Sequence, residues 1–229
     1  MKMILFSVWR NMREVDYPDL RSELSNTEFQ FKQFGKTCKT IIIALHGWTG
    51  DEHSLIPVSI GVRLPNSLWV FPRAPFKAQN SPKGFSWYQE IPPSKKEILL
   101  SFQIIDNIVD YFKEQLNRKI KIFLLGFSQG AALSAGAGLY LKSKVNGIIS
   151  IAGFIRKDYI NLLKIKSSQN FSPILILHGN NDKIVPMEKG VELKNLCEEL
   201  GQRVEFHTYD EKHKIPLTAM KIIRNFIQK

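Results

Sequence analysis

Hydrophobic and polar positions along the chain fall into two alternating patterns. Apolar runs rich in β-branched residues predict buried strands at 40–46, 67–71, 120–125, 145–153 and 173–178, and a further strand is predicted at 203–209. Apolar residues at helical spacing predict helices over 51–64, 97–116, 128–142, 186–200 and from about 216 onward. Strands that alternate with helices predict an α/β fold, with a mostly parallel sheet covered by helices on both faces.

The remaining segments predict edge structure and a loop. The short apolar run in Met1–Arg10 is interpreted as a first strand, because no small-residue cleavage site of a signal peptide follows it. Thr27–Phe31 alternates polar and apolar residues, so residues 1–38 are expected to add an edge strand or hairpin. Residues 73–95 are rich in Pro, Ser, Lys and Gly and predict a long ordered loop. We expect one domain over 1–229, since no linker or repeat interrupts the pattern.

Composition narrows the classes of partner. No apolar run reaches the length of a membrane span. The formal net charge is +11, but the basic residues are scattered over separate elements, whereas nucleic-acid-binding proteins usually concentrate them on one face. We therefore expect a solvated, lysine-rich surface and no nucleic-acid partner, with weak attraction to anionic membrane surfaces as the alternative. Two cysteines, Cys38 and Cys197, form no disulfide framework, which favours a cytoplasmic location.

The strongest chemical signal is Gly126-Phe-Ser-Gln-Gly130, a G-x-S-x-G pattern. A predicted strand precedes it and a predicted helix follows, which is the context of a nucleophilic serine on a sharp strand-to-helix turn. Glycines two residues on either side remove side chains that would collide with neighbouring elements. Ser128 is therefore the candidate nucleophile, although the pattern alone also occurs in ordinary Gly/Ser loops.

Two later loops offer partners for this serine. Chemistry in a parallel sheet gathers at the carboxyl ends of its strands. Asp182 follows the strand predicted at 173–178, and His213 follows the strand predicted at 203–209. The chain order Ser, Asp, His is that of α/β-hydrolases. His213 would take the serine proton, and Asp182 would hold the imidazole in the right tautomer.

Other groups compete for these roles. Asp210 and Glu211 are rival acids, but they lie too close to His213 in the sequence to approach it from the usual strand. His46 is expected to shape the loop after the first long strand, and His178 to be hydrogen-bonded within its own turn. A turn-forming role for Asp182 and a surface position for His213 remain the alternatives.

Six motifs in the same order resemble the bacterial carboxylesterase and phospholipase family that includes the acyl-protein thioesterases. They are Leu45–Pro57, Phe71–Pro75, Gly84–Tyr88, Gly126–Gly130 and His178–Pro186, followed by Tyr209–His213. The resemblance covers about 40–228. It implies an α/β-hydrolase fold, a Ser128–Asp182–His213 triad and an oxyanion hole formed by the backbone N–H groups of Trp48 and Gln129. A position at a helix N-terminus independently suits the Gln129 amide for this role.

Some features depart from the family pattern. Gly84 is preceded by Ser81-Pro-Lys where many members have a second glycine, and Gln89 stands where many have an acid. No large insertion occurs between 153 and 173, so any lid is short or absent. Apolar residues of 154–172, among them Phe154 and Tyr159, are expected either to contact the acyl group or to pack in the core.

The sequence thus predicts a serine carboxylesterase or thioesterase that acts through an acyl-enzyme and needs no metal or organic cofactor. Candidate substrates are short- to medium-chain acyl esters or thioesters, and lysophospholipids. A peptidase of the same fold and a non-catalytic hydrolase-like binding protein are the alternatives. The sequence leaves the oligomeric state open.

Overall fold

A computed structural model describes residues 12–13, 15–24, 27–79, 81–90, 92–116, 119–141, 144–156, 159–160 and 170–229. Within these residues, eight strands form one sheet: β1 Met12–Arg13, β2 Phe29–Phe34, β3 Thr40–Leu45, β4 Ser67–Pro72, β7 Lys121–Phe127, β8 Gly147–Ile151, β9 Ile174–Gly179 and β10 Val204–Tyr209. Their order in the sheet is β1-β2-β4-β3-β7-β8-β9-β10. A separate ribbon pairs β5 Phe76–Lys77 with β6 Phe85–Ser86.

Six strands from β4 to β10 in the sheet order pair in parallel, and β2 and β1 add an antiparallel edge beside β4. The helices are α1 Pro18–Glu23, α2 Ile56–Val62, α3 Lys95–Leu116, α4 Gln129–Leu141, α5 Met187–Glu199 and α6 Leu217–Gln228. The structure confirms the predicted mostly parallel sheet with helices around it. Residues Met1–Arg10, interpreted from the sequence as a first strand, lie outside the described residues.

The two faces of the sheet bury separate hydrophobic clusters. Alternate residues of β3 show the division: Ile41 and Ile43 pack on one face, and Ile42 packs on the other. Residues of α1, α3, α4 and α5 cover the first face, and residues of α2 and α6 cover the second. Because each central strand is buried on both faces, its sequence is a continuous apolar run with no polar alternation.

Two predicted elements differ from the observed ones. The helix predicted over 51–64 is shorter, because Asp51 and Ser54 hydrogen-bond each other and close a local turn before the helix begins at Ile56. The loop predicted at 73–95 contains the β5–β6 ribbon and the first residue of α3. Most of the segment that would bear any lid, 157–158 and 161–169, lies outside the described residues.

Candidate active site

Ser128 lies at the turn between β7 and α4. Its φ of 54° falls in the left-handed region, where a residue with a β-carbon is strained. Its N–H donates to the Ile151 carbonyl of β8 at 2.9 Å, and its own carbonyl accepts the N–H groups of Ala131 and Ala132 at 3.0 Å. Hydrogen bonds on both sides of the serine therefore hold it in this conformation.

The glycines of the G-x-S-x-G pattern are required by close approaches of backbone. A β-carbon at Gly126 would overlap the Gly130 carbonyl, and one at Gly130 would overlap the Leu45 carbonyl of β3. Backbone atoms cannot rotate away as a side chain can. The spacing of the glycines thus allows β7, α4 and β3 to meet closely around Ser128.

Asp182 and His213 are brought together by neighbouring parallel strands. Strands β9 and β10 pair in register up to Gly179 and Tyr209, so the loops that follow them leave the sheet side by side. His213 Nδ1 lies 2.7 Å from Asp182 Oδ2, in hydrogen-bond contact. Asp182 is buried, and its Oδ1 accepts the N–H groups of Ile184 and Val185 at 2.9 Å.

The surroundings of Asp182 favour its ionised form. Burial opposes ionisation, but hydrogen bonds from His213, Val185 and Ile184 outweigh it and lower the pKa of the carboxyl below its usual value. A charged carboxylate at Nδ1 stabilises an imidazolium and fixes the proton of the neutral ring on Nδ1. The pair therefore has the chemistry of an oriented general base.

The rival acids are engaged elsewhere. Asp210 Oδ1 accepts the side-chain N–H of Asn181 at 2.5 Å, and Glu211 forms an ion pair with Lys214 at 2.8 Å. Asp182 is therefore the carboxylate that contacts His213.

The His213 ring also reaches the serine turn. Its centroid lies 4.9 Å from that of Phe127, the residue that precedes Ser128. The base–acid pair and the strained serine thus meet at the carboxyl ends of β7, β9 and β10, where the sequence predicted the site.

Trp48 and Gln129 line the same cleft as Ser128. Gln129 is the first residue of α4, so its N–H has no acceptor within the helix. Trp48 lies in a tight turn in which the Gly50 N–H donates to the Gly47 carbonyl at 3.0 Å. A β-carbon on Gly47 would lie 3.4 Å from Ser128 Cβ, so this turn packs directly against the serine.

The His46 side chain is hydrogen-bonded to the turn that contains Trp48. Its Nε2 accepts the Ala74 N–H at 3.0 Å, which leaves the proton on Nδ1 to donate to the Gly47 carbonyl at 2.7 Å. Burial lowers the pKa of this histidine, so it stays neutral. The structure gives His46 the loop-shaping position expected from the sequence.

The Gln129 side chain, which the sequence did not single out, ties the Ser128 turn to β6. Its Oε1 accepts the Trp87 N–H at 3.1 Å, and its Nε2 donates to Ser86 Oγ at 2.9 Å. The Trp87 indole N–H in turn donates to the His46 carbonyl at 2.9 Å. In the sequence, only the motif Gly84–Tyr88 indicated that this segment belongs to the site, and that motif was noted because of the family resemblance.

A cleft of about 240 Å³ opens over these groups. Its walls include Trp48, Ser128, Gln129, Gln89, Phe154 and Arg156. Phe154 was a candidate acyl contact, whereas Tyr159 is buried and its hydroxyl pairs with that of Tyr88. Arg156 was missed, because nothing in its sequence context distinguishes it from a surface arginine.

A larger hollow of about 500 Å³ at the other end of β3 and β7 contains none of the site residues.

The described part of the chain contains no group of three or more His, Cys, Asp or Glu side chains that could hold a metal ion. None of its helices is both long enough and apolar enough to cross a membrane.

Relatives of this chain include proteins named acyl-protein thioesterase and carboxylesterase. Acyl-protein thioesterase 1 of Candida albicans is 28% identical over 220 residues, which cover 85% of this chain and 95% of the relative. Acyl-protein thioesterase 1 of Debaryomyces hansenii is 32% identical over 197 residues, covering 76% and 83%. The similarity therefore includes fungal as well as bacterial proteins.

Solved structures agree on the fold. The carboxylesterase of Bacillus cereus superposes with a TM-score of 0.74 at 16% identity, covering 93% of this chain and 99% of that one. SOBER1 of Arabidopsis thaliana superposes with a TM-score of 0.68 at 26% identity, covering 82% and 97%. The fold is thus that of the α/β-hydrolases. The phospholipase/carboxylesterase family model matches residues 26–229, and the chain belongs to this family of serine hydrolases.

Proposed function

We propose that this chain hydrolyses carboxylic esters or thioesters through an acyl-enzyme formed on Ser128. The observation that carries the proposal is the 2.7 Å contact between His213 and Asp182, at the edge of the sheet where Ser128 lies strained in its turn. The esterase and thioesterase relatives support the same chemistry.

In the proposed first half-reaction, Ser128 Oγ attacks the substrate carbonyl carbon while His213 Nε2 takes the hydroxyl proton. Asp182 stabilises the imidazolium that results. The carbonyl oxygen gains negative charge, and the backbone N–H groups of Trp48 and Gln129 bind it. His213 then gives its proton to the departing alcohol or thiol, which leaves an ester on Ser128.

In the second half-reaction, water replaces the alcohol or thiol. His213 removes a proton from the water as it attacks the acyl carbon, and then returns that proton to Ser128 Oγ. The products are a carboxylic acid and the free enzyme. Every proton in this cycle passes through His213, so the scheme requires no metal or organic cofactor.

The cleft supports a short- to medium-chain acyl group. Its volume of about 240 Å³ equals roughly eight times the volume that a water molecule occupies in the liquid. Trp48 and Phe154 offer apolar surface to the acyl chain, and the Arg156 guanidinium gives the same cleft a positive charge. This mixture also suits a lysophospholipid with its anionic headgroup.

Two broader features complete the proposal. The net charge of +11 supports weak contact with anionic membrane surfaces. Cys38 and Cys197 are free thiols, which supports a cytoplasmic location.

The decisive experiment measures hydrolysis of p-nitrophenyl esters and matched thioesters of graded chain length. We expect Ser128→Ala to lower kcat/KM by about three orders of magnitude or more. Ser134→Ala is the matched control, because Ser134 lies in α4, the helix that follows Ser128, and its hydroxyl donates to the Ala131 carbonyl. Its activity should stay within about threefold of the wild type.

The same experiment separates the alternatives. Unchanged turnover in Ser128→Ala would refute the proposed nucleophile. Absence of hydrolysis and of Ser128 labelling by a fluorophosphonate probe in the wild type would favour a non-catalytic binding protein. That alternative matters because one rice relative, 21% identical over 204 residues, is named a probable inactive carboxylesterase. Cleavage of peptidyl substrates in preference to esters would favour a peptidase.

A further inference from the structure

A second histidine lies beside the catalytic acid and takes no part in the proposed proton transfers. His178 stands near the end of β9, four residues before Asp182, and its side chain is fully buried. Its Nε2 lies 2.8 Å from the Val185 carbonyl and 3.7 Å from Asp182 Oδ2. It cannot serve as the general base, because it is sealed from the cleft and its Nε2 is already bonded to the Val185 carbonyl.

The tautomer of His178 follows from its partner. A carbonyl oxygen can only accept, so Nε2 bears the proton and donates it to Val185. Nδ1 is buried and has no hydrogen-bond partner within the described residues. Within the described residues, the one hydrogen bond that this buried ring makes is therefore to Val185, in the loop that carries Asp182.

Val185 connects His178 to the catalytic acid. Its N–H donates to Asp182 Oδ1 at 2.9 Å, while its carbonyl accepts from His178 at 2.8 Å. The residue that orients the carboxylate is thus itself anchored to β9. With Oδ1 held in this way, Oδ2 is left for His213 at 2.7 Å.

Helix α5 closes the other side of the ring. A β-carbon on Gly190 would lie 2.5 Å from His178 Nδ1, closer than nonbonded atoms approach. The imidazole therefore fills the space between α5 and the Val185 carbonyl. Any side chain at position 190 would press the ring toward the Asp182 loop.

From this arrangement we propose that His178 is a positioning residue, which sets the orientation of the Asp182 carboxylate toward His213 by anchoring Val185. The inference rests on the proposed triad. It differs from a purely structural role for a core histidine, because it requires that removal of the ring act on catalysis through Asp182.

The first test compares His178→Leu with His178→Gln in ester hydrolysis, below the unfolding temperature of each variant. Leu fills similar volume but has no donor, whereas the Gln amide N–H lies as many bonds from Cα as His Nε2 and can reach the Val185 carbonyl. We expect Leu to lower kcat about 10- to 100-fold with KM within about threefold. Gln should recover most of that loss. Equal kcat in Leu and wild type, or no recovery by Gln, would overturn the inference.

The second test asks whether the effect passes through the acid. In an Asp182→Asn background, His178→Leu should lower kcat by less than about threefold further, because the two residues act as a unit. A full additional loss in that background would show that His178 acts independently of Asp182 and would overturn the proposal.

A variant that leaves the histidine in place covers the case in which His178→Leu does not fold. Gly190→Ala should lower kcat by displacing the ring. Gly61→Ala, the matched control, adds a β-carbon in a helix where it meets only the flexible Met220 side chain, at 2.9 Å, and should keep its activity. Equal activity of the two would refute the inference.

If Ser128→Ala is inactive while the His178 variants are fully active, only this inference fails. An active Ser128→Ala refutes the proposed function itself.

Discussion

The carboxylate of Asp182 is bonded at both of its oxygens, and the two oxygens serve different ends. Oδ1 is held by the backbone of its own loop, whereas Oδ2 faces His213. An isosteric amide could keep part of this geometry but would lack the negative charge. Substitution of Asp182 by asparagine therefore tests the effect of the charge separately from the effect of the position.

We predict that Asp182→Asn lowers kcat by about three to four orders of magnitude with a small change in KM, because the imidazolium loses its counter-charge and the tautomer its restraint. Steady-state ester hydrolysis measures it. The matched control is Asp210→Asn: within the described residues this rival acid hydrogen-bonds to the Asn181 side chain and not to His213, and its substitution should change kcat by no more than about threefold. The reverse ranking of the two variants would assign the acid to Asp210.

Residues that follow a strong apolar run were predictable from the sequence. Ser128 and Asp182 each come after such a run, His213 comes after the strand predicted at 203–209, and a parallel sheet brings the ends of its strands to one edge. His178 and Arg156 were not predictable in their positions, because burial and cleft exposure depend on contacts between segments far apart in the sequence. A periodicity argument contains no information on those contacts.

At the scale of elements, local hydrogen bonding decided where prediction failed. The apolar spacing of 51–64 is helical, but the Asp51 side chain accepts the His53 N–H at 3.0 Å and delays the helix. Strands β5 and β6 have two residues each, too few to show an alternating pattern. The central strands were predictable because burial on both faces requires long apolar runs.

Helix α3 begins with a buried acid that organises one wall of the cleft. Glu97 accepts N–H groups of Gln89 at 2.7 Å, Glu90 at 3.2 Å and Ser94 at 2.9 Å. Burial opposes its ionisation, yet these bonds hold the pKa of the carboxyl below its usual value. Since Gln89 and Glu90 line the cleft, a single side chain of α3 fixes part of the cleft wall.

We predict that Glu97→Gln destabilises the fold by about 2 kcal/mol and raises KM several-fold, because bonds to a buried charge are lost and the 89–94 loop loosens. Urea unfolding and ester kinetics measure the two effects. Glu192→Gln removes an exposed ion pair with Lys189, and it should change stability by less than about 1 kcal/mol. Equal destabilisation by both substitutions would contradict the anchoring role of Glu97.

At the scale of the whole molecule, buried titratable groups set the response to acid. Burial lowers the pKa of His46 below 6.5, so the unfolded chain takes up a proton at a pH where the folded chain does not. Glu52 is buried against Arg73, and hydrogen bonds from that guanidinium, opposed by burial, lower its pKa below 4.5. In both cases the unfolded state binds more protons, so stability rises with pH.

These shifts predict a loss of stability in two steps as the pH falls: the first begins below about pH 6.5 with His46, the second below about pH 4.5 with Glu52 and the other low-pKa carboxyls. The free energy of unfolding in urea, measured from pH 8 to pH 3, resolves them. Glu52→Gln should make the lower step smaller, since its amide does not titrate, and should keep the upper one, since burial is the largest cause of the low pKa of His46. Stability that is constant from pH 8 to pH 3, or a lower step unchanged in Glu52→Gln, would contradict this account of the buried charges.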